Sequence, residues 1–143
     1  MQTLQQIQDE VIAEFTAVDD WMDRYQMLID MAGEVSPLDP KHKIQQNLID
    51  GCQSRVWLVC TERDGRLYFE AESDALIVQG IVSLLIRVAN ARTPQELAEA
   101  DFYFIPAIGL SEHLSPTRSN GLLAMVKQIK LFAQVFLARS AQA

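Results

Sequence analysis

Arg55-Val56-Trp57-Leu58-Val59-Cys60-Thr61-Glu62-Arg63-Asp64-Gly65-Arg66-Leu67-Tyr68-Phe69-Glu70-Ala71-Glu72 decides the fold. Two runs, Arg55 to Thr61 and Leu67 to Glu72, are rich in β-branched and aromatic residues. Between them lies Asp64-Gly65, the pair favoured where both central residues of a tight turn need positive φ. The stretch therefore predicts a β-hairpin. Just upstream, Asn47 to Asp50 reads as a further short strand. Three consecutive strands with short connections predict an antiparallel meander, and one face of so small a sheet must be covered by helices.

Helical periodicity supplies that cover on both sides. Leu4, Ile7, Val11, Ile12 and Phe15 share one face of a first helix. Asp19 or Asp20 can cap a second, with Trp21, Tyr25, Leu28 and Ala32 on one stripe and Gly33 as its stop. Pro37 and Pro40 enforce a loop from Glu34 to Lys43. After the hairpin, Ser73 can cap a helix over Asp74 to Asn90. Its apolar residues cover much of the circumference, which predicts the most buried helix. Thr93-Pro94-Gln95-Glu96 is a capping box that opens a short helix ending near Ala100. Phe102 to Leu110 reads as irregular because Pro106 and Gly109 interrupt it. Ser115-Pro116 opens a last helix running towards Arg139. The resulting expectation is one α+β domain over residues 1–143: a small three-stranded antiparallel sheet packed against helices.

The 143 residues carry a net charge of −7, with a pI near 4.7. Phosphate backbones would be repelled, so no nucleic-acid partner is expected. An anionic membrane surface is disfavoured for the same reason. No window reads as the ~20 apolar residues a membrane span needs, and Met1 to Glu10 has no signal-peptide pattern. The expected location is the cytoplasm.

The sequence has two cysteines, Cys52 and Cys60. An extended strand from Arg55 to Cys60 spans about 16 Å, more than the ~7 Å a disulfide allows, so the pair should not bridge unless the loop before Arg55 folds back along the strand. Both read as reduced, and two thiols are too few ligands for structural zinc, so no metal or cofactor is expected. Cys60 alternates with Val56 and Leu58 and reads as a core residue. Cys52 sits differently, in Gly51-Cys52-Gln53-Ser54, where Gly51 frees the turn and Gln53 and Ser54 are polar. A thiol at a loop tip among polar residues is placed to react.

Hydrolytic chemistry through Cys52 would need a histidine base within reach. His42 and His113 carry no flanking signature and read as solvated. Sulfur transfer asks for less: an accessible thiolate that attacks the outer sulfur of a donor persulfide. Arg118 is the second candidate. It stands in the first turn of the last helix, where positive charge opposes the dipole, and Gly121 follows in the next turn at a helix-propensity cost of about 1 kcal/mol. Two such choices predict an approach surface, with Arg118 facing the Cys52 loop or a partner. Trp57 reads as a packing aromatic beside that loop, on the strand face opposite Val56 and Leu58. Asp74 reads as a charge at its helix's N-terminus, with a partner contact as the alternative. Lys41 and Lys43 make a small basic spot.

Four ordered fragments carry a family resemblance: Trp21-x-x-x-Tyr25; Asn47-x-x-x-Gly51-Cys52-Gln53-Ser54-x-Val56-Trp57; Ser73-Asp74-Ala75 with Val78 and Gly80; and Leu114-Ser115-x-x-Arg118-x-x-Gly121-Leu122. Over roughly Trp21 to Ile129 the chain resembles the SufE family. The resemblance implies a SufE/IscU-like α+β fold and a sulfur-accepting role for Cys52. It implies a pyridoxal-phosphate cysteine desulfurase of the SufS kind as partner, stimulated by the transfer, and a SufB-containing scaffold as recipient. Gly51, Gln53, Ser54, Trp57, Asp74 and Arg118 would form the thiol environment or the partner-facing surface. A CsdE-like branch, with a different desulfurase and recipient, fits the same motifs. A cluster-building scaffold of the IscU kind does not, because it needs several metal ligands. The alternative of another class is a non-catalytic module that regulates a desulfurase, with Cys52 incidental. A sheet edge and apolar helix faces leave room for a homodimer.

Overall fold

In a computed structural model, which describes residues 2–34, 37–49 and 54–142 with side chains to Arg139, Asp64 and Gly65 have φ of 54° and 78°. These paired positive angles are those of a type I′ turn, the one whose twist matches its flanking strands. The hairpin forms as predicted. Strand β1 (Val56–Arg63) pairs antiparallel with β2 (Arg66–Ser73), from Val56 opposite Ser73 to Arg63 opposite Arg66.

The third strand does not form among the described residues, and the sheet has two. The backbone of Gln45–Asn47 is used in a 3-10 turn. Only Leu48 then bridges to Trp57, and the Ile49 N–H donates to the Val56 carbonyl at 2.9 Å. One bridge closes the β1 edge without extending the sheet. The β2 edge is closed similarly, by a single bridge between Leu67 and Arg92 and by the Asn90 side chain, which accepts from the Phe69 N–H at 2.7 Å.

Among the described residues, seven helices surround the hairpin: α1 (Leu4–Thr16), α2 (Trp21–Ala32), α3 (Leu76–Ala89), α4 (Pro94–Glu99), α5 (Phe104–Ala107), α6 (Leu110–His113) and α7 (Pro116–Gln142). The starts of α2, α4 and α7 follow the sequence, whereas α3 begins two residues after the expected Asp74, with Ala75 rather than Ser73 as its N-cap. Thr3 with Gln6, and Thr93 with Glu96, close capping boxes, and Asp20 accepts from the Met22 N–H at 2.9 Å. The interrupted stretch after Phe102 is more regular than expected. Its proline is tolerated within the single turn of α5, where no earlier turn is blocked. Gly109, at φ 86°, then redirects the chain into α6.

The core lies between the hairpin's inner face, α3 and α7. Val56, Leu58, Leu67, Phe69 and Ala71 meet Ile77, Ile81, Leu84, Leu85 and Val88 of α3. Burying each of the larger side chains is worth about 1.5–3 kcal/mol. Leu122, Met125, Ile129 and Ala133 bring one stripe of α7 into the same cluster. Gly80 lies where α3 crosses α2. A Cβ there would overlap the Leu28 main-chain carbonyl, so only glycine allows this approach.

By length and composition the stretch Pro116–Arg139 could span a membrane, contrary to the sequence expectation. Its apolar residues are distributed over two faces. One is the core stripe, and the other exposes Leu123, Leu131 and Val135.

Candidate functional site

The reactive loop predicted at Gly51-Cys52-Gln53 lies outside the described residues, but both of its roots are visible. On one side, Ile49 is buried and bonded to Val56. On the other, Asp74 holds Arg55 twice: its Oδ1 accepts from the Arg55 N–H at 3.0 Å, and its own N–H donates to the Arg55 carbonyl at 3.2 Å. This corrects the reading of Asp74 as a dipole partner for its helix. α3 starts at Leu76 with Ala75 as N-cap and no side-chain cap. The Asp74 carboxylate is turned instead to the strand that leaves the loop. Ser73 supports the corner, its Oγ accepting from the Ala75 N–H at 3.3 Å.

Ser54, the first described residue after the loop, lines a cavity of about 400 Å³. Val78 and Ile81 of α3 and Met125 of α7 give it an apolar floor. Ser115, Thr117, Arg118 and Gly121 form the wall where α7 begins.

Arg118 is positioned by three elements. Ser115 caps α7, its Oγ accepting from the Arg118 N–H at 3.3 Å. The Arg118 Nη1 donates to the Tyr25 hydroxyl at 3.3 Å. Tyr25 meets Trp21 edge-on, with ring centroids 6.5 Å apart, and Trp21 stacks on His113 at 4.5 Å. Among the described residues, no carboxylate lies within ion-pair distance of Arg118. Its charge is thus oriented by a neutral hydroxyl and left open towards the cavity, where an anion would be stabilised. Sequence reasoning named Arg118 but missed Tyr25 as its partner. The signal was the Trp21-x-x-x-Tyr25 spacing, which places both rings on one helix face. His113, read as a solvated histidine, is exposed but stacked on Trp21.

Trp57 stands apart from this cavity. It is half-buried on the outer face of β1, under the Lys43 ammonium at 5.6 Å. Lys43 also pairs with Glu72, which accepts from the Leu38 N–H at 2.9 Å. Those contacts fasten the 37–49 segment to the sheet and hold the Glu72 carboxyl below its usual range, chiefly through the Lys43 hydrogen bond. Lys41 pairs loosely with Asp39 at 4.0 Å.

Cys60 is half-buried rather than fully enclosed, packed against the core near Phe132 and Phe136. Burial, helped by Glu62, pushes its thiol up to about 12. At neutral pH it stays protonated and weakly nucleophilic. Among the described residues, no group of three or more His, Cys, Asp or Glu is arranged to hold a metal ion.

Comparison with known proteins bears on what this cavity serves. The family model described as "SufE: Fe-S metabolism associated domain" matches residues 9–133. An uncharacterised SufE-like protein of Rhizobium meliloti (strain 1021) is 36% identical over 131 residues, covering 88% of this chain and 94% of that protein. Another, from Rhizobium etli, is 39% identical over 132 residues, covering 89% of each. The solution structure of a hypothetical protein from Thermus thermophilus superposes with a TM-score of 0.76, covering 92% of this chain and 96% of that one. At 20% identity that likeness speaks to the fold alone.

Proposed function

Because the chain belongs to the SufE family of Fe–S metabolism associated domains, we propose that it is a sulfur acceptor working through Cys52. The Cys52 thiolate attacks the outer sulfur of a persulfide carried by a cysteine desulfurase. The S–S bond of the donor breaks, a new one forms on Cys52, and the donor cysteine leaves as a thiolate. No external oxidant or reductant is consumed. Relieved of its persulfide, the desulfurase turns over faster. A SufS-like enzyme is the donor in this reading, and a SufB-containing scaffold the recipient. A CsdE-like pair would use the same chemistry.

One observation carries the proposal. The cavity beside the loop root combines an apolar floor with a guanidinium that has no carboxylate partner among the described residues. The floor would shelter a persulfide from water and stray thiols. Arg118 would favour the thiolate over the thiol and so raise the attacking fraction at neutral pH. Such a thiol must be kept reduced, which suits the cytoplasm. We read the chain as one domain that performs this step on itself.

The test is mass spectrometry of tryptic peptides after incubation with a cysteine desulfurase and free cysteine, without reductant. A gain of one sulfur on the Cys52 peptide and none on the Cys60 peptide is expected. Cys52→Ser should abolish both the gain and the stimulation of the desulfurase. Stimulation that survives Cys52→Ser would instead favour the non-catalytic regulatory module.

A further inference from the structure

We propose that the outward face of α7, from Leu123 to Arg139, docks an acidic amphipathic helix of another protein. This surface is separate from the cavity at the start of α7, and the proposal does not depend on Cys52 chemistry.

Leu123, Lys127, Leu131, Val135 and Arg139 recur every four residues and form one ridge along the helix. Leu123 is 63% exposed, Leu131 42% and Val135 47%. Grooves flank the ridge on both sides. One, of about 410 Å³, runs past Val126, Lys130 and Gln134. The other, of about 300 Å³, runs past Gln128, Phe132 and Phe136. A ridge between two grooves is the relief into which a second helix interdigitates. From Leu123 to Arg139 it extends about 24 Å, the length of a four- to five-turn helix.

Charge identifies the occupant. Residues 116–143 contain Arg118, Lys127, Lys130 and Arg139 and no acidic residue, whereas all nineteen Asp and Glu side chains lie in residues 1–115. Among the described residues, none of Lys127, Lys130 and Arg139 has a carboxylate within ion-pair distance. Lys130 and Arg139 lie instead over the Phe102 and Phe136 rings, at 5.9 Å and 5.3 Å. Cations beside exposed leucines, unneutralised from within, match a helix with an apolar stripe bordered by Asp or Glu. A second copy of α7 would bring like charges together. An anionic bilayer offers the same negative charge but no ridge to fill the grooves.

The probe is a synthetic helix of about 18 residues, with leucines on one stripe and glutamates beside them. An otherwise identical peptide carries lysines for the glutamates. The full chain is labelled with ¹⁵N and titrated with each. The expected result is amide shifts concentrated in residues 122–139 and binding at least about tenfold tighter for the acidic peptide. Leu131→Asp and Lys127→Glu, with thermal melts matching the parent, should each weaken it about tenfold. Binding of neither peptide, or equal binding of both, overturns the proposal. So does association with phosphatidylserine vesicles in place of the peptide. A dimer of the free protein that Leu131→Asp dissociates would overturn it in favour of self-association.

Discussion

With its thiol pushed up to about 12 by burial and by Glu62, Cys60 carries almost no thiolate at pH 8. Iodoacetamide at that pH should label Cys52 well before Cys60, and peptide mapping of a time course measures the difference. Arg118→Ala should slow the Cys52 reaction and move its pH midpoint upwards, while leaving the Cys60 rate unchanged. An unmoved midpoint would separate Arg118 from the thiol. Asp74→Ala removes the acceptor of the Arg55 N–H and should cost about 1 kcal/mol in urea denaturation. Single residues were legible in the sequence only where their chemistry is intrinsic. Cys60 could be placed on an inward strand face from its alternation, and Arg118 drew notice as a cation at the wrong end of a helix. Asp74 was misread because its partner is a backbone amide 19 positions away. No local pattern records such a pairing.

Among the elements, the α2–α3 crossing at Gly80 has the least tolerance. Gly80→Ala would press a methyl group into the Leu28 carbonyl and force the helices apart. A loss of about 1–3 kcal/mol is expected, read as a lowered denaturation midpoint. The same change at Gly33, which faces only the Asp30 carbonyl at 3.6 Å, should be far milder. Periodicity and caps revealed the long helices and the hairpin, since those signals are local. The strand predicted at Asn47 to Asp50 failed because a four-residue run has no means of choosing between a ladder and a 3-10 turn. Its one bridge to Trp57 depends on where β1 already lies. The single-turn helices α5 and α6 escaped notice for a related reason: four residues hold too little of a 3.6-residue period to register.

At the scale of the whole molecule, the attachment of the 37–49 segment to the sheet should depend on pH. The Glu72 carboxyl lies below its ordinary value of 4.5 in the fold, mainly through its bond to Lys43. A carboxyl depressed on folding contributes stability above its unfolded value and loses it as pH falls through the folded one. The drop in stability from pH 7 into that range should therefore be smaller for Glu72→Gln than for the parent, as urea midpoints at several pH values would show. Distant parts of the chain are also stitched together near the N-terminus. Gln8, 1% exposed, donates to the Asp101 carbonyl at 3.1 Å and accepts from the Phe104 N–H at 3.2 Å. The buried Arg92 donates to the Gln2 carbonyl at 2.5 Å. These bonds join residues 90 to 96 positions apart. The separation has a consequence in time. A ribosome adding about 5–20 residues per second completes α1 roughly 4–18 s before it makes Arg92, Asp101 and Phe104. Until they are made, Ile7, Val11 and Phe15 lack the α5 side of their core, and the nascent helix keeps part of its apolar face in water.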